Sequence, residues 1–296
     1  MKYAFIINPI AGSINKNSLV EEIKAELQHR NLEFEFHYSE FKGHSIELAK
    51  KLRDNANTTV VAIGGDGTVN EIGSQLINSN TTLGLIPLGS GNGLARHLKL
   101  PLHPMKALAV ILEGNSAKID AGKLNEKVFF VTCGFGFDAE VAHNFNQRNS
   151  RGLIGYVKEV IKLFPYYTAK QYRLEYDGIL KSRTAFNVTV ANASQYGNDA
   201  FIAKDASVQD GLLDLCVIKS YPKLFGPHLG ISLFLNNLHN SSFYRAKTVA
   251  SVKIELENNT ELIHAQIDGE ALDLQLPARV ECLPKALHIL VPKNWM

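Results

Sequence analysis

The sequence predicts an α/β domain built on a parallel sheet, followed by a second, mainly antiparallel β domain. Three observations predict it. At 296 residues the chain is long for one core and divides more naturally into two modest domains with a cleft. Its first third alternates short β-rich runs with helical patterns, the rhythm of strand–helix–strand units. After about residue 122 the texture changes to strand-like alternation, as in Phe186-Asn187-Val188-Thr189-Val190 and Leu272-Asp273-Leu274-Gln275-Leu276, with Gly, Asn and Asp at the turns.

Residues 3–8 read as a strand, 18–30 as a helix, 34–38 as a strand and 45–55 as a helix. Strand 58–63, helix 67–78 and strand 82–86 follow. In an open parallel sheet the loops after such strands line the crevice at their carboxyl ends, where ligands bind. Two helical patterns, 153–167 and 224–238, interrupt the β-rich part. A last strand over 286–291 either closes the second domain or returns to the first, which periodicity leaves open. The expected division is 1–122 for the α/β domain, with 284–296 able to join it, and 123–283 for the β-rich domain.

With 45% hydrophobic and 20% charged residues the composition is that of an ordinary globular protein. Lys plus Arg outnumber Asp plus Glu only 31 to 29, so no basic footprint points to nucleic acid. Cys133, Cys216 and Cys282 are odd in number and far apart, which argues against disulfides and a paired-cysteine zinc site, and for buried thiols in a reducing cytosol. The ten histidines form no metal-ligand motif. Asn8-Pro9 interrupts the apolar start well short of a signal-peptide core. No stretch approaches the ~18–20 apolar residues that cross a bilayer, so membrane contact is expected to be peripheral and the protein cytoplasmic.

The strand at 58–63 runs into Gly64-Gly65-Asp66-Gly67-Thr68-Val69-Asn70-Glu71, placing glycines and a carboxylate between a buried strand and a helix start. Glycines let backbone approach a ligand closely, and a helix N-terminus points amides and partial positive charge at it, which suits phosphate. A carboxylate there fits a phosphate site when a metal ion lies between them, so Asp66 points to a metal–nucleotide complex. A plain strand-to-helix turn capped by Asp66 fits the same residues. A second loop, Gly89-Ser90-Gly91-Asn92-Gly93, follows the next strand and adds the Ser90 hydroxyl. Neither loop matches the lysine-containing phosphate loop or the dinucleotide fingerprint, and no nucleophile elbow occurs. Asn8, in Asn8-Pro9-Ile10-Ala11-Gly12 at the end of strand one, gains weight from its position beside them.

Together with Ile119-Asp120-Ala121-Gly122, Gly134-Phe135-Gly136-Phe137-Asp138, Asp210-Gly211-Leu212-Leu213-Asp214 and Asp268-Gly269-Glu270, these motifs resemble the diacylglycerol kinase catalytic-domain family over nearly the whole chain. That family includes bacterial diacylglycerol and phosphatidylglycerol kinases and the sphingosine and ceramide kinases. The resemblance implies a nucleotide-binding α/β domain joined to a β-sandwich-like domain, with ATP and acceptor meeting in the cleft. It implies nucleotide contacts from Asn8, Ser39, Gly64, Gly65, Asp66, Gly67, Thr68, Asn70, Glu71, Ser90, Gly91 and Asn92. Asp66 and Asp120 would organise a catalytic Mg²⁺, and a second Mg²⁺ would be held by Asp210 with backbone oxygens of Ser207 and Leu212. Glu270 matches the general base of the family, although Asp268-Gly269 between alternating segments also reads as a plain hairpin turn. The sequence departs from the bacterial pattern at Gly93, where many members carry aspartate.

The function expected is an ATP-dependent lipid kinase acting on a diacylglycerol-like, phosphatidylglycerol or sphingoid hydroxyl at the membrane surface, with a homodimer left open. The alternatives are a soluble kinase of nicotinamide dinucleotides and a non-catalytic lipid-binding pseudokinase. Asn70-Glu71 directly after the glycine loop and the Gly89–Asn92 motif favour the lipid branch, and the presence of Asp66, Asp120 and Glu270 favours catalysis. Drawing a diacyl lipid with roughly 25 methylenes into water costs on the order of 20 kcal/mol, so the chains must be sheltered or remain in the membrane. The apolar segment 153–167 suits such shelter and core packing alike, and Arg96, His97 and Lys99 form a short basic cluster able to meet anionic headgroups.

Overall fold

The computed structural model describes residues 2–12, 14–55, 57–147, 152–257 and 262–295. It divides into residues 1–119 with 285–296, and residues 120–284. The expected boundary at 122 shifts to 119, inside a strand, so Asp120, Ala121 and Gly122 belong to the second unit.

In the first unit, β1 (Lys2–Ile7) is buried from its second residue onward, the continuous apolar run of a strand covered on both faces. α1 (Lys16–His29) starts at Asn15, whose side-chain oxygen accepts the amides of Asn17 at 3.0 Å and Ser18 at 3.3 Å. Its Leu19, Val20, Ile23 and Leu27 fall on one face and are buried. β2 (Glu33–Tyr38), α2 (His44–Leu52), β3 (Thr58–Gly64), α3 (Asp66–Leu76) and β4 (Thr82–Pro87) continue the alternation, followed by α4 (Gly93–His97) and α5 (Pro104–Glu113). Proline in its first turn and Gly114 at φ 74° delimit α5. The strands pair in parallel as β2–β1–β3–β4. Successive connections run in opposite directions from the β1–β3 pair, which makes it a topological switch point. The core beneath is formed by Phe5, Ile7, Ile23, Leu27, Val61, Ile63 and Ile86.

β5 (Ser116–Leu124) enters the second unit at Asp120. There follow β6 (Lys127–Phe129), β7 (Thr132–Gly136), α6 (Phe137–Asn146), α7 (Leu153–Leu163), β8 (Lys170–Tyr176), β9 (Ile179–Ala191) and β10 (Leu213–Lys219). A 3-10 turn over Lys223–Phe225, α8 (Gly226–Phe234), β11 (Tyr244–Val249), β12 (Ser251–Leu256), β13 (Leu262–Ile267), β14 (Glu270–Gln275) and β15 (Ala278–Leu290) complete it. The ladders between β7 and β14 are antiparallel, as the alternation predicted. β9 organises them: its first half pairs with β8, and its second half lies between β7 and β10. Phe129, Phe135, Tyr172, Val188, Val190, Leu215 and Ile254 fill this core.

Three expectations change. The final strand does both things the periodicity allowed, since β15 pairs with β12 through Ala278–Glu281 and with β4 through His288 and Ile289. The helix expected over 153–167 ends at Leu163: Phe164 still has helical backbone, but Pro165 has no amide hydrogen to continue the ladder. The helix expected over 224–238 is a 3-10 turn and a shorter α8, with Pro227 in the first turn of the latter. α6 had no counterpart in the sequence reading.

Candidate active site

The glycine loops of the first unit converge through backbone packing. Asn8 and Ser39 directly follow β1 and β2, β3 ends in Gly64, and β4 delivers Leu88-Gly89 to the same end of the sheet. The Ser39 amide donates to the Ile7 carbonyl at 2.9 Å and the Leu88 amide to the Gly64 carbonyl at 2.7 Å, so each loop is tied to the neighbouring strand. A methyl group on Gly89 would lie 2.6 Å from the Gly65 Cα, and one on Gly12 would strike the Leu88 carbonyl. Only glycine permits this approach.

Side chains then lock the loops. Asp66 accepts the Gly93 amide on Oδ1 at 2.7 Å, joining the first turn of α3 to that of α4. Asn8 donates to the Thr68 hydroxyl at 3.0 Å. Asn92, left-handed at φ 51° and buried, donates to the Gly89 carbonyl at 2.7 Å, and Arg96 donates to the Gly91 carbonyl at 3.0 Å. Gly67, Asn70 and Glu71 lie half-buried on the first turns of α3, and Ser90 is exposed at the tip of its loop. Gly93 meets Asp66 through its backbone amide, a contact that does not depend on the side chain at that position. The basic cluster is also revised. Arg96 braces a glycine loop, and burial with the nearby Lys99 charge lowers the His97 pKa to about 4, leaving that imidazole neutral at pH 7.

Asp120 is fully buried in the second unit and accepts the Gly211 amide at 2.7 Å, while its own amide donates to the Val208 carbonyl at 2.6 Å. The loop carrying Ser207, Asp210 and Leu212 is thereby wrapped around Asp120. Asp210 accepts the Leu212 amide at 3.0 Å. Burial, together with the Asp210 and Asp205 charges, raises the Asp214 pKa to about 6. Asp210 and the backbone carbonyls of this loop are oxygen donors, the ligand type a hard divalent cation takes.

The Asp268-Gly269 turn joins β13 to β14 with both residues at positive φ, 48° and 84°, as a two-residue hairpin requires. It is more than a turn. The Asp268 carboxylate accepts the amides of Phe130 at 3.0 Å, Val131 at 2.8 Å and Thr132 at 3.0 Å, and its own amide donates to the Thr132 carbonyl at 2.8 Å. Glu270, exposed at the start of β14, is therefore held by a rigid hairpin.

The comparisons follow this division. The model of the diacylglycerol kinase catalytic domain matches residues 2–124, and that of the YegS C-terminal NAD kinase β-sandwich-like domain matches residues 131–291. The chain belongs to the diacylglycerol kinase and YegS-like lipid kinase family. The diacylglycerol kinase of Bacillus subtilis (strain 168) is 27% identical over 301 residues, covering 99% of this chain and 98% of that one. The "Probable lipid kinase YegS-like" protein of Serratia proteamaculans (strain 568) is 30% identical over 243 residues, covering 80% of this chain and 77% of its own. A crystal structure of a diacylglycerol kinase from Bacillus anthracis str. Sterne shares the fold at TM-score 0.76 and 20% identity, covering 100% of this chain and 98% of that one. The β-sandwich-like character of the second domain is thus shown, as is the α/β character of the first.

Two groupings in this kinase-family chain escaped the sequence reading. Asp138, in the first turn of α6, has its Oδ1 shielded from solvent without a hydrogen-bond partner. Its Oδ2 meets Thr189, Tyr196 and Gln266, each at 3.4 Å, and burial raises its pKa to about 6. The Gly134–Asp138 motif was visible, but nothing in it announced partners drawn from β9, β13 and the loop after β9. The other grouping is His143, His264 and Asp273, with the His264 ring nitrogen 2.6 Å from Asp273 and the two imidazoles stacked at 3.7 Å. The hydrogen bond lies within the β13–β14 hairpin, and the stacked His143 ring ties that hairpin to α6. A cleft of about 430 Å³ bounded by Tyr176, Asp177, Lys253 and Arg279 contains none of the residues expected at the site.

Proposed function

We propose that this chain is an ATP-dependent kinase that transfers the γ-phosphoryl group to a hydroxyl of a diacylglycerol-like, phosphatidylglycerol or sphingoid lipid. One observation carries the nucleotide half of the reading: the glycine loops pack backbone to backbone at the ends of parallel strands, with Asp66 fixing their relation. Amides of the first turn of α3 lack intrahelical acceptors by construction and present positive charge to phosphate oxygens. Asn8, Ser39, Thr68, Asn70, Glu71, Ser90 and Asn92 supply polar groups along the same edge.

Glu270 is the proposed base. As the lipid hydroxyl oxygen forms its bond to the γ-phosphorus, the proton passes to the Glu270 carboxylate and the bond to the ADP oxygen breaks. The Asp268 clamp keeps Glu270 in place. Asp66 and Asp120 are the proposed ligands of the catalytic Mg²⁺, and Asp210 with the Ser207 and Leu212 carbonyls those of a structural Mg²⁺. When bound, the catalytic ion neutralises phosphate charge.

The test is transfer of radiolabelled γ-phosphate to diacylglycerol, phosphatidylglycerol, ceramide, sphingosine and NAD, each presented with Mg²⁺ in mixed micelles. Label on a lipid supports the reading and names the acceptor. Label on NAD alone, or bound ATP with no transfer, replaces it with the soluble-kinase or pseudokinase reading. On the lipid that accepts phosphate, Glu270→Gln is expected to lower kcat by about 10²–10⁴-fold with little change in KM. Retention of kcat would move the base elsewhere.

A further inference from the structure

Three side chains of the second unit, distant in sequence, bring ligand atoms together beside the hairpin that carries Glu270. His264 and Asp273 are cross-strand partners in the β13–β14 register, with His264 Nδ1 2.6 Å from Asp273 Oδ1. His143, in the last turn of α6, places its Nδ1 3.7 Å from the same oxygen, beyond hydrogen-bond reach. The ligand atoms of all three lie within 4.8 Å of one another. A tetrahedral ion bonded at about 2.0–2.1 Å to each ligand holds them about 3.3 Å apart, between the two separations observed.

The far nitrogens of both rings are engaged as those of metal-bound imidazoles are. His264 Nε2 faces Glu140 Oε2 at 3.7 Å, and Glu140 is held in turn by the Lys170 ammonium at 3.1 Å. The Gln147 amide lies 2.7 Å from His143 Nε2; with its oxygen turned inward it accepts that ring's proton and leaves the lone pair on Nδ1. Between His264 Nδ1 and Asp273 a proton bridges the 2.6 Å, and a cation can take that proton's place.

The two rings are stacked, centroids 3.7 Å apart and planes 24° from parallel, so seating an ion turns the imidazoles about their Cβ–Cγ bonds, a soft torsion. The side chains are 25% exposed at His143, 32% at His264 and 51% at Asp273, so solvent rather than packed core yields to that turn, and a fourth position is left to water. Two imidazoles, one carboxylate and an open position suit zinc, whereas Mg²⁺ takes oxygen ligands.

We propose that His143, His264 and Asp273 form a binding site for Zn²⁺, and that the ion staples α6 to the hairpin bearing Glu270. The site itself is independent of the kinase reading.

The full chain, untagged and stripped of metal with a chelator, is titrated with Zn²⁺ by calorimetry in excess Mg²⁺, which competes for the oxygen sites proposed above. One equivalent of Zn²⁺ should bind, raise Tm and slow amide exchange in the β13–β14 hairpin. His264→Gln and His143→Gln should each abolish that binding, and Glu140→Gln should weaken it about 10–100-fold. Wild-type chain that binds no Zn²⁺ overturns the proposal, as does Zn²⁺ bound equally by both histidine variants. Circular-dichroism melting of the metal-free variants checks that they fold; if His264→Gln does not, His143→Gln on the surface of α6 carries the test. Zn²⁺ bound with hairpin exchange unchanged overturns the staple. Zn²⁺ bound as expected, with phosphate transfer to no lipid, leaves this site standing and overturns the kinase reading.

Discussion

Asp138 holds its proton in the fold to a pKa of about 6, against an ordinary aspartate value of 3.8, because burial penalises the ionised form. The neutral acid is therefore the form the fold favours. Stability is greatest below the unfolded value and falls as pH rises from about 4 through 6, by about 3 kcal/mol at most for this group. Asp138→Asn, nearly isosteric and without that titration, should flatten the loss across this range when wild type and variant melts are compared by calorimetry. A parallel decline in both would show that the carboxyl is not the source. At this scale the sequence was informative about residue type and weak on surroundings. Glu270 was singled out, while Asp268 passed as a turn residue, because its three amide donors come from residues 130–132 and no local pattern encodes them.

The glycine loops are the elements that sequence described best, since a required close approach leaves glycine as its visible trace. Gly65 and Gly89 face each other across consecutive strand ends, and the 2.6 Å that a methyl on Gly89 would have to Gly65 leaves no room for alanine. Gly89→Ala should force the loops apart, cost about 1–3 kcal/mol of stability and weaken ADP binding by about tenfold or more. Isothermal titration and thermal melting measure the two effects. Unchanged affinity would separate the loop packing from nucleotide binding. α6 shows the opposite case. Its first turn, Phe137-Asp138-Ala139-Glu140, follows β7 without a break, and the strand-like texture around it concealed the change of period.

For the molecule as a whole, formal charges nearly cancel, yet like charges collect locally. Burial and the Asp210 and Asp205 charges raise the Asp214 pKa, next to a loop that also closes over Asp120. If the structural Mg²⁺ proposed above binds there, it would stabilise the fold by mass action, so added Mg²⁺ should raise Tm by a few degrees and a chelator should reverse the gain. Asp210→Asn should abolish the Mg²⁺ response while leaving the metal-free melt little changed. An identical response in the variant would assign the effect to another site.

Sequence by itself determined the two-part architecture, the succession of strands and helices in the first half and the residues at its strand ends, because period and glycine placement are local properties of the chain. It also left the correct pair of possibilities for the last strand. Only the tertiary structure decided that β15 serves both units, that Asp120 groups with the second, and that Asp268 clamps the hairpin bearing Glu270. It alone exposed the apolar face of α7, which periodicity could not distinguish from core packing. Those facts depend on which distant segments meet, and hydrogen bonds or burial between residues far apart in sequence leave no periodic signature in either one.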